Sequence, residues 1–436
     1  MLSSCTWASE IFVPVDATAT TTSYLKGRAR KNKVSGSGRR DKPQYEAALT
    51  RLLAVAQPTY ATTLPTSRFS MHSLTSIPLS PAPAATQVED TASWLEDKAG
   101  LDPAEGHLCN PQRARRKRQQ VANLMQACHV YIAQLLALQS ASSTPAQLTV
   151  IEFCCGSGHV ALPLAALYPS VQFVLLDNRP ASIHQAEERA AAANLQNVMC
   201  QCEDLHDFSP SEVFHLGIAL HACGPLTDLV MDFCVQQRAA YVLCPCCIGK
   251  VQASPLEYPR SSRFRAIFPD RRQYESMASA ADLSVRQFFS RSKVVETNKE
   301  IATGSSNGKS EEEQEQEQEQ QQEQEEQRQQ HRRRRLCKSF VEMDRGSRAE
   351  EAGYSTRLLL LTPRECTPKN DLLCGYPGEW EKGVLGRGKG EGGEVEEEVE
   401  HVVVNGDDAA AFDDWFGDSG DGGDGDEVSD DGDDED

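Results

Sequence analysis

Three carboxylates in the middle of this chain each close an apolar run. Glu152 follows Leu148-Thr-Val-Ile, Asp177 ends Val171-Gln-Phe-Val-Leu-Leu, and Asp204 ends the short run from Asn197. A carboxylate at the tip of a second strand suits a ribose diol, because it accepts from both hydroxyls. Glu152 is positioned to orient a cofactor amino group, and Asp204 to accept from an adenine amino group or to cap the next turn. Between Glu152 and a helix-forming run, Val160 to Leu167, lies Phe-Cys154-Cys-Gly156-Ser-Gly158. Glycines there let backbone approach a ligand, and the following helix N-terminus favours polar or negative groups. Together these residues read as a nucleotide-type cofactor cradle. A dinucleotide site asks for G-x-G-x-x-G, and Gly156-Ser-Gly158-His-Val-Ala161 offers only a small residue at the last position.

A second group of reactive side chains follows. His221 and Cys223 end a fourth apolar run, where a histidine could act as a base beside a cofactor. Cys244-Pro-Cys246-Cys247 ends a fifth run and raises the question of a metal. A tetrahedral zinc site needs two more ligands, and Cys200-Gln-Cys202 has the wrong spacing to supply them. The reading taken is a thiol-lined pocket wall, with no metal assigned. Arg115-Arg116-Lys117-Arg118 precedes an amphipathic helix with Val121, Leu124, Met125 and Val130 on its apolar side. That run is suited to RNA phosphates or to a solvated helix face.

The elements that must hold these groups alternate. Five short apolar runs begin near Leu148, Val171, Asn197, Phe214 and Ala240. Helical patterns fill Ala181 to Ala193 and Leu226 to Arg238. Alternation of this length predicts a parallel sheet with helices on both faces and ligands beyond the carboxyl ends of the strands.

Acids after the first three strands and a glycine turn resemble the layout of class I S-adenosylmethionine-dependent methyltransferases, a Rossmann-like α/β fold. The family's turn is acid-x-Gly-x-Gly-x-Gly, and here Cys154 replaces the first glycine, which is expected to narrow the turn. A closer resemblance rests on Ala219-Leu-His-Ala-Cys-Gly224, Thr227-Asp228, Cys244-Pro-Cys-Cys-Ile-Gly249 and Thr367-Pro-Lys-Asn370 with Gly375 and Pro377. Leu101-Asp-Pro, Arg116-Lys-Arg-Gln-Gln120 and Asn123-Leu124 extend it upstream. These segments are similar to the methyltransferase-like domain of the glutathione S-transferase C-terminal domain-containing proteins, over about residues 95–290 and 338–378. The His-x-Cys-Gly and Thr-Asp pattern also resembles RNA methyltransferases that act on tRNA. The resemblance implies S-adenosylmethionine as cofactor, held by Glu152, Cys154, Gly156, Gly158, Asp177 and Asp204. It implies an acceptor pocket at the tips of strands four and five, beside the first strand, with His221, Cys223 and Cys246 as catalytic candidates. The competing reading is a scaffold that binds the cofactor and has lost catalysis. Nothing in residues 1–94 reads as a glutathione transferase-like helical domain.

Composition frames the rest. The net charge of −20 resides in residues 391–436, which are rich in acid and contain no Lys or Arg, while the remainder is nearly balanced. Such a tail cannot bury enough apolar surface to offset chain entropy and is expected to be a disordered arm, suited to a basic partner. Residues 1–94 are read as a second, mostly disordered arm, and residues 95–378 as the methyltransferase-like domain. A Glu/Gln-rich block ending in Arg332 to Arg335 is read as part of a surface insertion at about 292–337. Fifteen cysteines without a secretory signal predict reduced thiols and a cytoplasmic protein, with plastid or nuclear alternatives.

Overall fold

The computed structural model describes chiefly residues 85–105, 110–140, 147–281 and 311–378, less residues 211, 249–250, 252–253, 269 and 368, with short pieces elsewhere. Most of both expected arms, and residues 292–310 of the expected insertion, lie outside the described residues.

Seven strands form one sheet: β1 Thr149–Phe153, β2 Gln172–Asp177, β3 Val198–Cys202, β4 Leu216–Ala219, β5 Ala240–Leu243, β6 Tyr354–Leu360 and β7 Asp371–Pro377. Their order is β3-β2-β1-β4-β5-β7-β6. The first five are parallel, and β7 runs antiparallel between β5 and β6. This is a mostly parallel, Rossmann-like sheet of the kind the resemblance implies. The expected five strands and the helices between them are all present, each beginning within two residues of its predicted start. One detail differs: of β4 and β5, only β4 borders β1, and β5 lies one strand further out.

Near-continuous apolar runs are what a strand buried on both faces requires. Val150, Phe173, Leu175, Leu216, Ile218 and Val242 point to one face, packed by α2 (Pro111–Ser140), α3 (Ala161–Leu167) and α4 (Pro180–Ala192). Ile151, Phe153, Val174, Leu176, Ala219 and Tyr241 point to the other. That face is covered by α5 (Pro225–Gln237), α6 (Ser262–Ile267), α7 (Arg271–Ala280) and the second half of α8 (Glu311–Glu351). A further helix, α1 (Ala85–Leu95), packs on α2 through Val88 and Ala92 against Ala122. By length and composition α2 could cross a membrane, but 78% of its apolar window is buried inside the fold, as in a core helix. A short antiparallel ribbon joins Thr59–Ala61 to His401–Val403.

Helix α8 revises the expected insertion. The Glu/Gln block does not stand apart as a surface loop; from Glu311 it runs without interruption into the domain. From Arg335 onward the helix is buried, with Leu336, Cys337, Phe340, Val341 and Ala349 in the core. Arg335 itself is buried against Asp371, joined there by Lys338. The helix was not evident from apolar periodicity because its inward stripe also carries Arg335, Lys338, Glu342 and Arg345, all buried. Each has an ionic partner there, the condition under which such groups are tolerated in a core.

Candidate active site

The turn after β1 is built around two carboxylates. Glu152 is buried and accepts from the backbone N–H of Ala161 at 2.7 Å and of Val160 at 3.4 Å. It therefore binds unsatisfied donors at the start of α3. Burial pushes its pKa up to about 7, opposed by those two hydrogen bonds and by the charge of Lys117. Asp177, at the tip of β2, accepts from Gly156 N–H at 2.9 Å through one oxygen and from Arg179 N–H at 3.0 Å through the other. Oδ1 also faces Arg179 Nε at 3.5 Å, and Oδ2 retains a lone pair for a further donor.

Left-handed backbone shapes the loop: φ is +53° at Cys154, +54° at Gly156 and +74° at Gly158. Cys154 thus keeps the backbone a glycine would adopt, at a cost of about 1–2 kcal/mol, and the expected narrowing gives way to this conformation. The two glycines have different reasons. A Cβ at Gly158 would lie 2.5 Å from Leu175 Cδ2 and 3.0 Å from Leu162 Cγ. A Cβ at Gly156 would meet nothing within 4 Å, and Gly156 lines a cavity.

That cavity, about 480 Å³, opens at the carboxyl edge of the parallel strands. Its size falls within the usual range for small-molecule sites, about 300–1,000 Å³. Glu152, Cys154, Gly156, Asp177, Asp204, His221 and Cys223 all line it, with Leu176, Leu205, Leu220 and Leu226 as apolar wall. Gly158 and Cys246 are not on its wall; Gly158 packs beneath the turn. Asp204 accepts from His206 N–H at 2.9 Å and from Asn178 Nδ2 at 3.2 Å, bonds that hold its pKa low. It therefore caps a turn while still lining the cavity. Polar acceptors, an open wall at Gly156 and an apolar flank fit the nucleoside-bearing cofactor that the resemblance implies.

The members of the basic run on α2 have different surroundings. Arg118 pairs with Asp102 and Glu96, each at 2.7 Å, and Arg115 with Glu89 at 3.3 Å. Arg116 is half-buried, and burial lowers its pKa. Lys117 turns into the cavity, and its ammonium lies 3.4 Å from His221 Nε2. Desolvation lowers Lys117 to about 8. His221 is solvent-exposed on the cavity wall. Desolvation by the surrounding protein, with the Lys117 charge, holds its pKa below the usual imidazole range and favours the neutral ring.

Behind His221 a buried network fixes the β4–α5 loop. Thr227 Oγ1 donates to Ala222 O, and Arg345 donates to Gly224 O at 3.1 Å. Arg345 also pairs with Asp228 at 3.1 Å, and Tyr258 donates to Asp228 at 2.7 Å. The Thr227-Asp228 pair thus positions the loop from behind. On the other side, Asn123 donates to Thr362 O at 2.6 Å and accepts from Thr362 N–H at 2.8 Å, tying α2 to the sheet.

Cys223 and Cys246 meet at the tips of β4 and β5, with sulfurs 2.8 Å apart. Cys247 joins them, and Cys244 turns away into the core. Sequence reasoning gave Lys117 to an RNA surface and missed its place in the cavity. The available signal was helical period: Lys117 lies three residues after buried Ala114 and four before buried Val121.

Residues 116–254 match a family described as "Methyltransferase domain". The human Glutathione S-transferase C-terminal domain-containing protein is 29% identical over 299 residues, 68% of this chain and 38% of that protein. The Drosophila melanogaster homolog is 33% identical over 266 residues, 61% of this chain and 37% of that protein. This chain spans less than two-fifths of the length of these two relatives. Among solved structures, PKMT2 from Rickettsia typhi in complex with AdoHcy is similar over 26% of this chain and 24% of that one, with 17% identity and a TM-score of 0.22. The domain match supports S-adenosylmethionine as the cofactor. Residues 116–254 therefore resemble a methyltransferase domain, in a chain that is similar to the glutathione S-transferase C-terminal domain-containing proteins.

Proposed function

We propose that this chain transfers a methyl group from S-adenosylmethionine, bound against Gly156 and Asp177, to an acceptor that enters beside His221. The observation that carries the reading is one cavity at the strand tips, which gathers three acids, the open Gly156 wall, His221 and Lys117. The cofactor supplies an electrophilic methyl on a sulfonium. Asp177 offers Oδ2 to the ribose hydroxyls, and Leu176 and Leu205 offer an apolar flank for a base. Glu152 holds the start of α3 and brings negative charge near the site. Lys117 Nζ lies 3.4 Å from His221 Nε2 and orients the ring, and the neutral imidazole takes a proton from the acceptor through Nε2 only when the ammonium gives up that lone pair.

RNA is the acceptor class to test first, because Arg115 and Arg116 occupy the helical turn that carries Lys117 to the cavity. The test incubates the full chain with methyl-labelled S-adenosylmethionine and total cellular RNA. Label in RNA that disappears in the Asp177→Ala variant is the expected result. Label in protein or small molecules would refute RNA as acceptor. Cofactor binding with no label transferred to any fraction would replace catalysis with the scaffold reading.

A further inference from the structure

The sulfur atoms of Cys223, Cys246 and Cys247 lie within 4.8 Å of one another, the one such group of potential ligands among the described residues. They come from two loops, the β4–α5 turn and the end of β5, so the fold brings them together across 23 residues of sequence. Both loops are anchored. Gly224 N–H donates to Cys247 O, and Arg345 holds Gly224 O from behind.

We propose that these three thiols bind a zinc ion at the rim of the cavity and leave its fourth position open. Tetrahedral thiolate zinc has Zn–S bonds of about 2.3 Å, which puts its sulfurs about 3.8 Å apart. Cys246 and Cys247 are already 3.7 Å apart. Cys223 and Cys246, at 2.8 Å, must separate by about 1 Å to reach that spacing. All three residues are only half-buried, which leaves room for that movement.

The charge around the cluster supports the same site. Lys369 Nζ donates to Cys247 Sγ at 3.4 Å. Zinc would displace the thiol protons to solvent as each Zn–S bond forms. Three protein ligands and one open position is the pattern of a catalytic rather than a structural zinc. Cys223 lines the cavity, so the open position lies next to the space assigned to the acceptor. The inference rests on the thiol geometry and does not depend on the cofactor reading.

The test uses the full chain, reduced and freed of metal by chelator, then titrated with Co2+ and with Zn2+. The expected result is about one ion per chain, with thiolate-to-cobalt charge-transfer bands and the intense visible bands of a tetrahedral site. Single Cys223→Ser, Cys246→Ser and Cys247→Ser variants should lose those bands, and Cys202→Ser should keep them. Where a variant fails to fold by circular dichroism, X-ray absorption of the zinc-loaded wild-type chain decides. About three sulfur neighbours at about 2.3 Å support the site. A nitrogen and oxygen shell, no bound ion, or a Cys223–Cys246 disulfide that persists in the presence of thiol reductant would overturn it. S-adenosylhomocysteine binding is measured on the same samples. Zinc failure with intact cofactor binding then counts against this site alone.

Discussion

Gly156 and Gly158 share a left-handed backbone but should respond to alanine in opposite ways. Placing a side chain in that conformation costs about 1–2 kcal/mol at either position. At Gly158 the new methyl also enters the Leu175 and Leu162 side chains, at 2.5 and 3.0 Å. Overpacking of that kind adds about 1–3 kcal/mol, so Gly158→Ala should lose about 2–5 kcal/mol of stability in total. At Gly156 the methyl meets no protein atom within 4 Å, so the loss should stop at about 1–2 kcal/mol. Its methyl instead occupies the cavity wall, and S-adenosylhomocysteine should bind at least tenfold more weakly, about 1.4 kcal/mol or more. Urea unfolding followed by circular dichroism gives the first quantity and calorimetry the second. The reasoning fails if Gly158→Ala proves no less stable than Gly156→Ala, or if Gly156→Ala binds the ligand like wild type.

Other perturbations separate the remaining roles. His221→Ala should cut turnover about a hundredfold or more while leaving S-adenosylhomocysteine affinity nearly intact, since a general base acts in the transition state; equal loss of both would make the residue structural. Arg345→Met leaves buried Asp228 with Tyr258 and Arg260, and Glu342 with Lys338 alone, and should cost up to about 3–5 kcal/mol in a denaturant titration. Asp371 is held at about 2, below its ordinary 3.8, by Arg335 and Lys338, which outweigh the opposing effect of burial. Its contribution, about 2 kcal/mol, should be present above pH 4 and be lost as the pH falls from about 4 to about 2. Asp371→Asn should flatten the stability profile over that range.

The sheet was legible because each parallel strand is a short apolar run ending at an acid or a turn, and the helices between are of ordinary length. Glu152, Asp177 and Asp204 stood out for the same reason: strand-end acids interrupt apolar sequence. Their division of labour was not legible. Glu152 spends two hydrogen bonds on the start of α3, which depends on how closely the turn folds back. Lys117 was hidden within a charge run, where composition suggests solvent and only helical phase shows that one member faces inward. The second half of α8 was obscured because its inward stripe is ionic, and its partners Asp228 and Asp371 lie over a hundred residues before Arg345 and 36 residues after Arg335. Pairing across such distances is fixed by topology and leaves no local pattern.

The central claim is that Asp177 and the turn after β1 hold S-adenosylmethionine. Calorimetry with S-adenosylhomocysteine on the full chain and on Asp177→Ala tests it most directly. The account predicts saturable binding at about one ligand per chain, weakened by about 1–3 kcal/mol when the carboxylate is removed. Equal affinity in the two proteins, or no binding to either, would contradict it.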